Sequence, residues 1–263
     1  MRPFRSPVFR VIFLLVLFAG SAVTASAQLS VSLVQDGVSA FGGAALAGVS
    51  LGLHVPTEAT PVSIDEVNGF DRTAMFGYSP ELDKASDFVQ YAALALPLAL
   101  ALGVGQDQAF AGGVIYFEVL TRAFFAKNMV KFLVPRVRPW AYSSPGTQSI
   151  PADLERNDSF PSGHSTMAFA AAAFGVTAAV LDLPSGSPWL VPFAATEVSL
   201  AVITGSLRVL SGMHFMTDVI AGAALGTALG IALPLLHTSW TGGSIGKSAP
   251  AVRFEVPIAA LAL

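Results

Sequence analysis

The chain contains no cysteine, which excludes disulfides and thiolate-ligated metal centres and leaves the redox compartment unmarked. It is also short of charge. Charged residues are 12% of the sequence, about half of the roughly 25% usual in soluble domains, whereas hydrophobic residues reach 53% and mean hydropathy is +0.65. That balance points to a membrane. A net charge of -3 gives no general attraction to nucleic acid or to an anionic membrane face, so any anion binding must come from a local cluster of bases. No internal repeat is visible in the 263 residues, and one main domain is expected.

The ends of the chain differ from its middle. Residues 1–27 have the three parts of a secretory signal: Arg2, Arg5 and Arg10, the apolar run Val11 to Ala19, and Ala25-Ser26-Ala27 before Gln28. Cleavage after Ala27 is expected, and retention as an uncleaved anchor is the alternative. Either fate puts residue 28 outside the cytoplasm. Residues 28–85 form an N-terminal segment: a Gly- and Ala-rich apolar part, 38–55, which is either a weak span or a helix packed on others, and a polar part expected to be exposed with short helical pieces. The main helical domain is expected over 86–236. Residues 237–263 form a tail to which no function is assigned.

Within 86–236 lie five long apolar stretches: Val89 to Val104, Ala109 to Val134, Ser165 to Leu183, Trp189 to Thr204 and Phe215 to Leu236. At about 1.5 Å per residue, each can cross most or all of a hydrocarbon core of roughly 30 Å. The predicted fold class is therefore all-α, an integral-membrane bundle of five to six long helices. Short joining segments, such as Gly105 to Gln108 and Pro184 to Pro188, suit antiparallel neighbours. Glu118 and Arg122 are four apart and can pair on one helix face. Trp140, Trp189 and Trp240 each fall near a helix end, as in an interfacial belt, and His54 and His237 are expected at interfaces.

Three pieces at the ends of these helices carry chemistry. Lys131 is followed by Arg138-Pro139; Pro161-Ser162-Gly163-His164 opens the third stretch; Arg208, His214 and Asp218 join the fourth to the fifth. An antiparallel bundle brings all three to one end. Lys131, Arg138 and Arg208 supply positive charge, and arginine's planar fork matches phosphate oxygens. Proline and glycine ahead of a helix leave the amides of Ser162, Gly163 and His164 free to meet an anion. His214 and Asp218 are four apart, so the carboxylate can hold one imidazole nitrogen and leave the other to attack. His164 is then placed to protonate the departing oxygen. Taken singly, bases at helix ends are ordinary interfacial anchors. His214 with Asp218 can equally be a structural pair, or half of a metal site completed by His164.

The three pieces, in their order and internal spacings, resemble the signature of the type 2 phosphatidic acid phosphatase superfamily, whose branches include membrane lipid phosphatases, secreted acid phosphatases and vanadium-dependent haloperoxidases. One departure is Leu207, where the family usually has a small residue, with Ser206 one place earlier. The resemblance implies a phosphohistidine at His214 supported by Asp218, an acid at His164, and a phosphoryl group held by Lys131, Arg138, Ser162, Gly163 and Arg208, without metal or other cofactor. It implies a lipid phosphomonoester or diphosphate as substrate and the bilayer as partner. The alternatives are a secreted acid phosphatase, a vanadium-dependent haloperoxidase and a non-catalytic binder of phosphorylated lipid. The polar loop from Ala141 to Ser159 is a candidate lid. If residue 28 lies outside and 38–55 does not span, the pocket faces the exterior; if 38–55 spans, it faces the cytoplasm. The exterior placement is expected.

Overall fold

The computed structural model describes residues 26–53, 63–142 and 156–241. Residues 1–25 of the signal expected over 1–27, His54, the centre of the candidate lid (143–155) and the tail beyond 241 lie outside the described residues. The helices are α1 (Leu33–Ser50), the one-turn α2 (Gly69–Arg72), α3 (Pro80–Ala95) continued by a 3-10 segment (Leu96–Leu102), α4 (Gln106–Leu133), α5 (Gly163–Asp182), α6 (Leu190–Leu210) and α7 (Met216–Leu236). Pro80–Leu102, α4, α5, α6 and α7 are long and apolar enough to cross a bilayer. The architecture is the expected all-α membrane bundle.

Helix α5 is its centre. Ala168, Ala170, Ala171, Ala172, Phe174, Ala178 and Ala179 are all buried, and small side chains let neighbouring backbones approach closely. Helix α7 answers with Gly222, Gly226 and Gly230 on one face. A Cβ at Gly222 would meet the Ser162 carbonyl oxygen at 2.5 Å, one at Gly230 the Ala170 carbonyl oxygen at 2.5 Å, and one at Gly226 would collide with the Thr166 carbonyl oxygen. This backbone-to-backbone contact fixes where the start of α7 sits against the start of α5, and Ser162 N donates to Asp218 O at 3.0 Å across it.

The predicted pairing of Arg122 with Glu118 is present, at 2.9 Å, with Glu118 fully buried. Arg122 also donates to Ser39 of α1. Helix α1 thus runs beside α4 and parallel to it, its Ser50 Oγ accepting from Asn128 Nδ2 at 3.0 Å. Val34, Val38, Phe41 and Val49 face outward from α1.

Strand β1 (Ser26–Leu29) pairs antiparallel with β2 (Thr238–Thr241) directly beyond α7. Leu29 N donates to Asp182 Oδ1 at the far end of α5. Gln28 therefore lies at the opposite end of α5 and α7 from Ser162 and His214, and α1 carries the chain from one end to the other. His237, near this far end, meets Asp36 at 3.2 Å. Trp189 is exposed as an interfacial residue should be, but Trp140 is buried with Tyr78 and Met213. Its neighbourhood is the floor beside the third motif, because Trp140 N donates to Gly212 O at 3.1 Å.

Candidate active site

All three sequence motifs converge at one end of the bundle. Each catalytic candidate owes its place to a helix terminus. Ser162 caps α5, its Oγ accepting from Ser165 N at 3.4 Å. Asp218, at the third position of α7, accepts from Phe215 N at 2.9 Å, a reciprocal cap that locks the turn bearing His214. Gly212, with φ of +72°, makes the turn out of α6; a Cβ there would sit 2.5 Å from the Gly77 carbonyl oxygen.

The bases are buried inside the pocket, not spread along an interface. Lys131 and Arg138 are 8% and 7% exposed and Arg208 is 3% exposed. Lys131 Nζ donates to Asp158 O at 2.6 Å and faces Asp158 Oδ1 at 3.1 Å; Arg138 lies 3.7 Å from the other oxygen of the same carboxylate. Arg208 bonds to Asp83, and to Ser86 Oγ at 2.9 Å, while its buried Nε has no partner. A buried donor without an acceptor is costly, and a phosphoryl oxygen would satisfy it.

The expectation for the amides needs correction at one position. Ser162 N is bonded to Asp218 O, so it helps join two helices and is not free for an anion. Helix geometry leaves the Gly163 and His164 N–H groups without intrahelical acceptors. Gly163 also lies under the Lys127 side chain, whose Cδ would be 3.3 Å from an added Cβ.

His214 is 2% exposed. Its Nδ1 lies 2.7 Å from the Ser159 carbonyl oxygen, which can only accept, so Nδ1 carries the proton. Nε2 then offers its lone pair to Arg138 Nη1 at 3.2 Å. Burial first, then the positive charges of Arg138, Arg208 and Lys131, hold the His214 pKa well below its usual range. The imidazole is thereby held neutral. Asp218 does not reach it by a hydrogen bond, its Oδ2 standing 3.7 Å from Nδ1. The carboxylate instead accepts from Ser159 Oγ at 2.6 Å and holds the residue that holds the imidazole.

His164 Nε2 is 2.6 Å from Asp87 Oδ1. With His164 on Asp87 and the His214 lone pair on a guanidinium, these histidines and Asp218 do not turn toward one common point as a metal site would require. Ser206 is exposed and bonds back to Val202 O at 2.8 Å, so it takes no part in the pocket.

Several residues here were not among the site candidates read from the sequence. Asp158 and Ser159 are placed by backbone pairing at the base of the loop: Arg136 N to Asn157 O and Arg138 N to Arg156 O, both 2.9 Å, and Ser159 N to Arg136 O, 3.0 Å. Asp83 and Asp87 are one turn apart at the start of α3, a spacing visible in the sequence that marks a shared face. Arg136 bridges Asp218 and Asp71, the latter at 2.7 Å. Asp71 was expected on an exposed segment but is fully buried; nothing local in the sequence distinguishes it.

Residues 112–241 match the family model of the PAP2 superfamily. Over that region, just under half of its length, the chain carries a PAP2-superfamily domain. The PAP2 match holds all eight residues singled out from the sequence, whereas Asp71, Asp83, Ser86 and Asp87 come from upstream of it. Lipid A 1-phosphatase of Porphyromonas gingivalis is 37% identical over 73 residues, a stretch that is 28% of this chain and 15% of that protein. Among solved structures, a transmembrane PAP2-type phosphatidylglycerolphosphate phosphatase from Bacillus subtilis is similar at a TM-score of 0.48 and 22% identity, over 77% of this chain and 95% of that one.

Proposed function

We propose that the protein is a membrane phosphatase that hydrolyses a phosphomonoester or diphosphate of a lipid through a phosphohistidine. The observation that carries this reading is His214: neutral, proton fixed on Nδ1, and with its lone pair facing the guanidinium of Arg138. A phosphoryl group drawn to Lys131, Arg138 and Arg208 meets that lone pair. Nε2 forms the bond to phosphorus as the bond to the lipid oxygen breaks, and His164 gives that oxygen its proton. Water then attacks phosphorus, returns a proton to His164 and releases phosphate. The basic groups and the Gly163 and His164 amides stabilise charge on the equatorial oxygens throughout. No step calls for a metal.

The lipid class follows from the setting. The motif residues lie at the ends of helices long and apolar enough to span a bilayer, where an amphiphile can keep its tail in the bilayer and present its phosphate. The names of the relatives, a lipid A 1-phosphatase and a phosphatidylglycerolphosphate phosphatase, agree with that class.

The pocket is proposed to face the exterior. Bases on its side are engaged by acids: Arg72 with Asp65, Lys131 and Arg138 with Asp158, Arg136 with Asp71 and Asp218, Arg208 with Asp83. An exterior pocket leaves the β1–β2 end on the cytoplasmic side, and this reading therefore gives up the expectation that the leader carries residue 28 across the membrane.

The test is phosphate release by the purified protein from phosphatidic acid, phosphatidylglycerol phosphate and a polyprenyl diphosphate in excess chelator. Activity that survives chelation and is abolished in His214→Ala supports the reading. Activity unchanged in His214→Ala would sink it.

A further inference from the structure

We propose that Asp71 and Arg136 are positioning residues for His214, a role that rests on the phosphatase reading above. Both terminal nitrogens of Arg136 are engaged within the protein. Its Nη2 donates to Asp71 Oδ2 at 2.7 Å, its Nη1 to Thr217 Oγ1 at 2.7 Å and to Asp218, and its plane lies over the Phe215 ring at 4.3 Å. With both ends of the fork taken, it is not a phosphate ligand.

Arg136 reaches the nucleophile by two routes that meet at Ser159. Its carbonyl oxygen accepts from Ser159 N at 3.0 Å. Its guanidinium holds Asp218, whose other oxygen accepts from Ser159 Oγ at 2.6 Å. Ser159 O then accepts the hydrogen bond from His214 Nδ1 at 2.7 Å. The same guanidinium clamps the first turn of α7 through Thr217 and Phe215, immediately after His214.

Asp71 holds Arg136 and α7 together. It accepts from Thr217 N at 3.0 Å and from Thr217 Oγ1 at 2.6 Å besides the guanidinium, so it places negative charge at the α7 N-terminus. Burial alone would raise its pKa, but the bonds from Thr217 and Arg136 outweigh burial and hold it below the usual carboxylate value. Arg136 stays charged for the matching reason, the carboxylates of Asp218 and Asp71 outweighing its partial burial. Asp71 and Asp218 are each fully buried, and the one guanidinium between them is shared by both carboxylates in a chain that ends at the imidazole.

The full-length protein in detergent micelles carrying Asp71→Asn, Arg136→Lys or Arg136→Gln tests this. With 15N-labelled histidine, the His214 signal is identified by its loss in His214→Ala. The wild type should show one neutral tautomer protonated on Nδ1, and each variant should lose that single population. The turnover number should fall about 10- to 100-fold, the cost usual for outer partners of a reacting group, while KM and inhibition by orthovanadate change less than about threefold. Asp71→Asn combined with Arg136→Gln should be no worse than Arg136→Gln alone, because the two act in series. An unaltered His214 tautomer in the variants overturns the proposal, as does parallel collapse of vanadate affinity and melting temperature, which marks a merely structural role. If the wild type hydrolyses no lipid phosphate, the phosphatase reading fails by itself, and the tautomer still decides the positioning.

Discussion

The Ser159 carbonyl oxygen lies 2.7 Å from His214 Nδ1, closer than the Asp218 carboxylate at 3.7 Å. The imidazole is oriented by a backbone acceptor, and the acid acts on it through Ser159. His214→Ala should lower turnover by roughly 10⁴-fold or more. Asp218→Asn should cost about 10- to 100-fold and Ser159→Ala about tenfold, each with KM little changed. Steady-state phosphate release checks all three.

Arg208 should tolerate no exchange for lysine. Its Nη1 is spent on Asp83 and Ser86, and its buried Nε is unpartnered; lysine keeps the charge but cannot serve both sides. Loss of one hydrogen bond to a charged group is worth about 1.5–3 kcal/mol, or roughly 10- to 150-fold. Arg208→Lys is expected to lose that much in kcat/KM, with weaker orthovanadate inhibition.

His214 should also make the fold acid-sensitive. Its folded pKa lies well below the unfolded value of 6.5, so below about pH 6.5 the unfolded chain takes up a proton that the native state refuses. Stability is then lost as pH falls from 6.5 toward the depressed native pKa, at up to about 1.4 kcal/mol per pH unit. Thermal unfolding in micelles between pH 7.5 and 4.5 should fall less steeply in His214→Gln than in the wild type, and equal slopes would contradict it.

The glycine face of α7 should be intolerant of a single methyl. Gly226→Ala drives a Cβ into the Thr166 carbonyl, and overpacking of this kind costs about 1–3 kcal/mol. Gly37→Ala on α1, with nothing within 4 Å, should be neutral or stabilising by up to about 1 kcal/mol. Melting temperatures of the two variants separate a packing requirement from helix propensity.

The absence of cysteine makes sidedness directly measurable. Gln28→Cys and Thr73→Cys, both at exposed positions, sit at opposite ends of the bundle. With the pocket outside, an impermeant maleimide should label Thr73→Cys in intact cells and Gln28→Cys only after permeabilisation.

The five spans and the convergence of the three motifs at one end were legible because both signals are local: apolar runs of membrane length, and charges at helix ends with fixed spacing. What the sequence hid depends on contacts between distant segments. Asp71 meets Thr217 from 146 residues away, and no pattern around it announces burial. Ser162 N was expected to serve an anion, but the glycine-lined approach of α7 turns it toward Asp218. Trp140 has the position of an interfacial belt residue yet is covered by Tyr78 and Met213, because the turn after α4 folds back under the third motif.

The pairing of Gln28 with Ser239 ties the fate of the leader to the side of the chemistry. A leader that carries residue 28 across the membrane leaves α1 to return the chain, and the pocket then opens on the cytoplasm. A pocket on the exterior requires residue 28 to remain where it was synthesised. Export of the first strand and hydrolysis outside the cell are alternatives for this bundle, so the compartment in which Gln28 is found reports the leaflet from which the substrate is drawn.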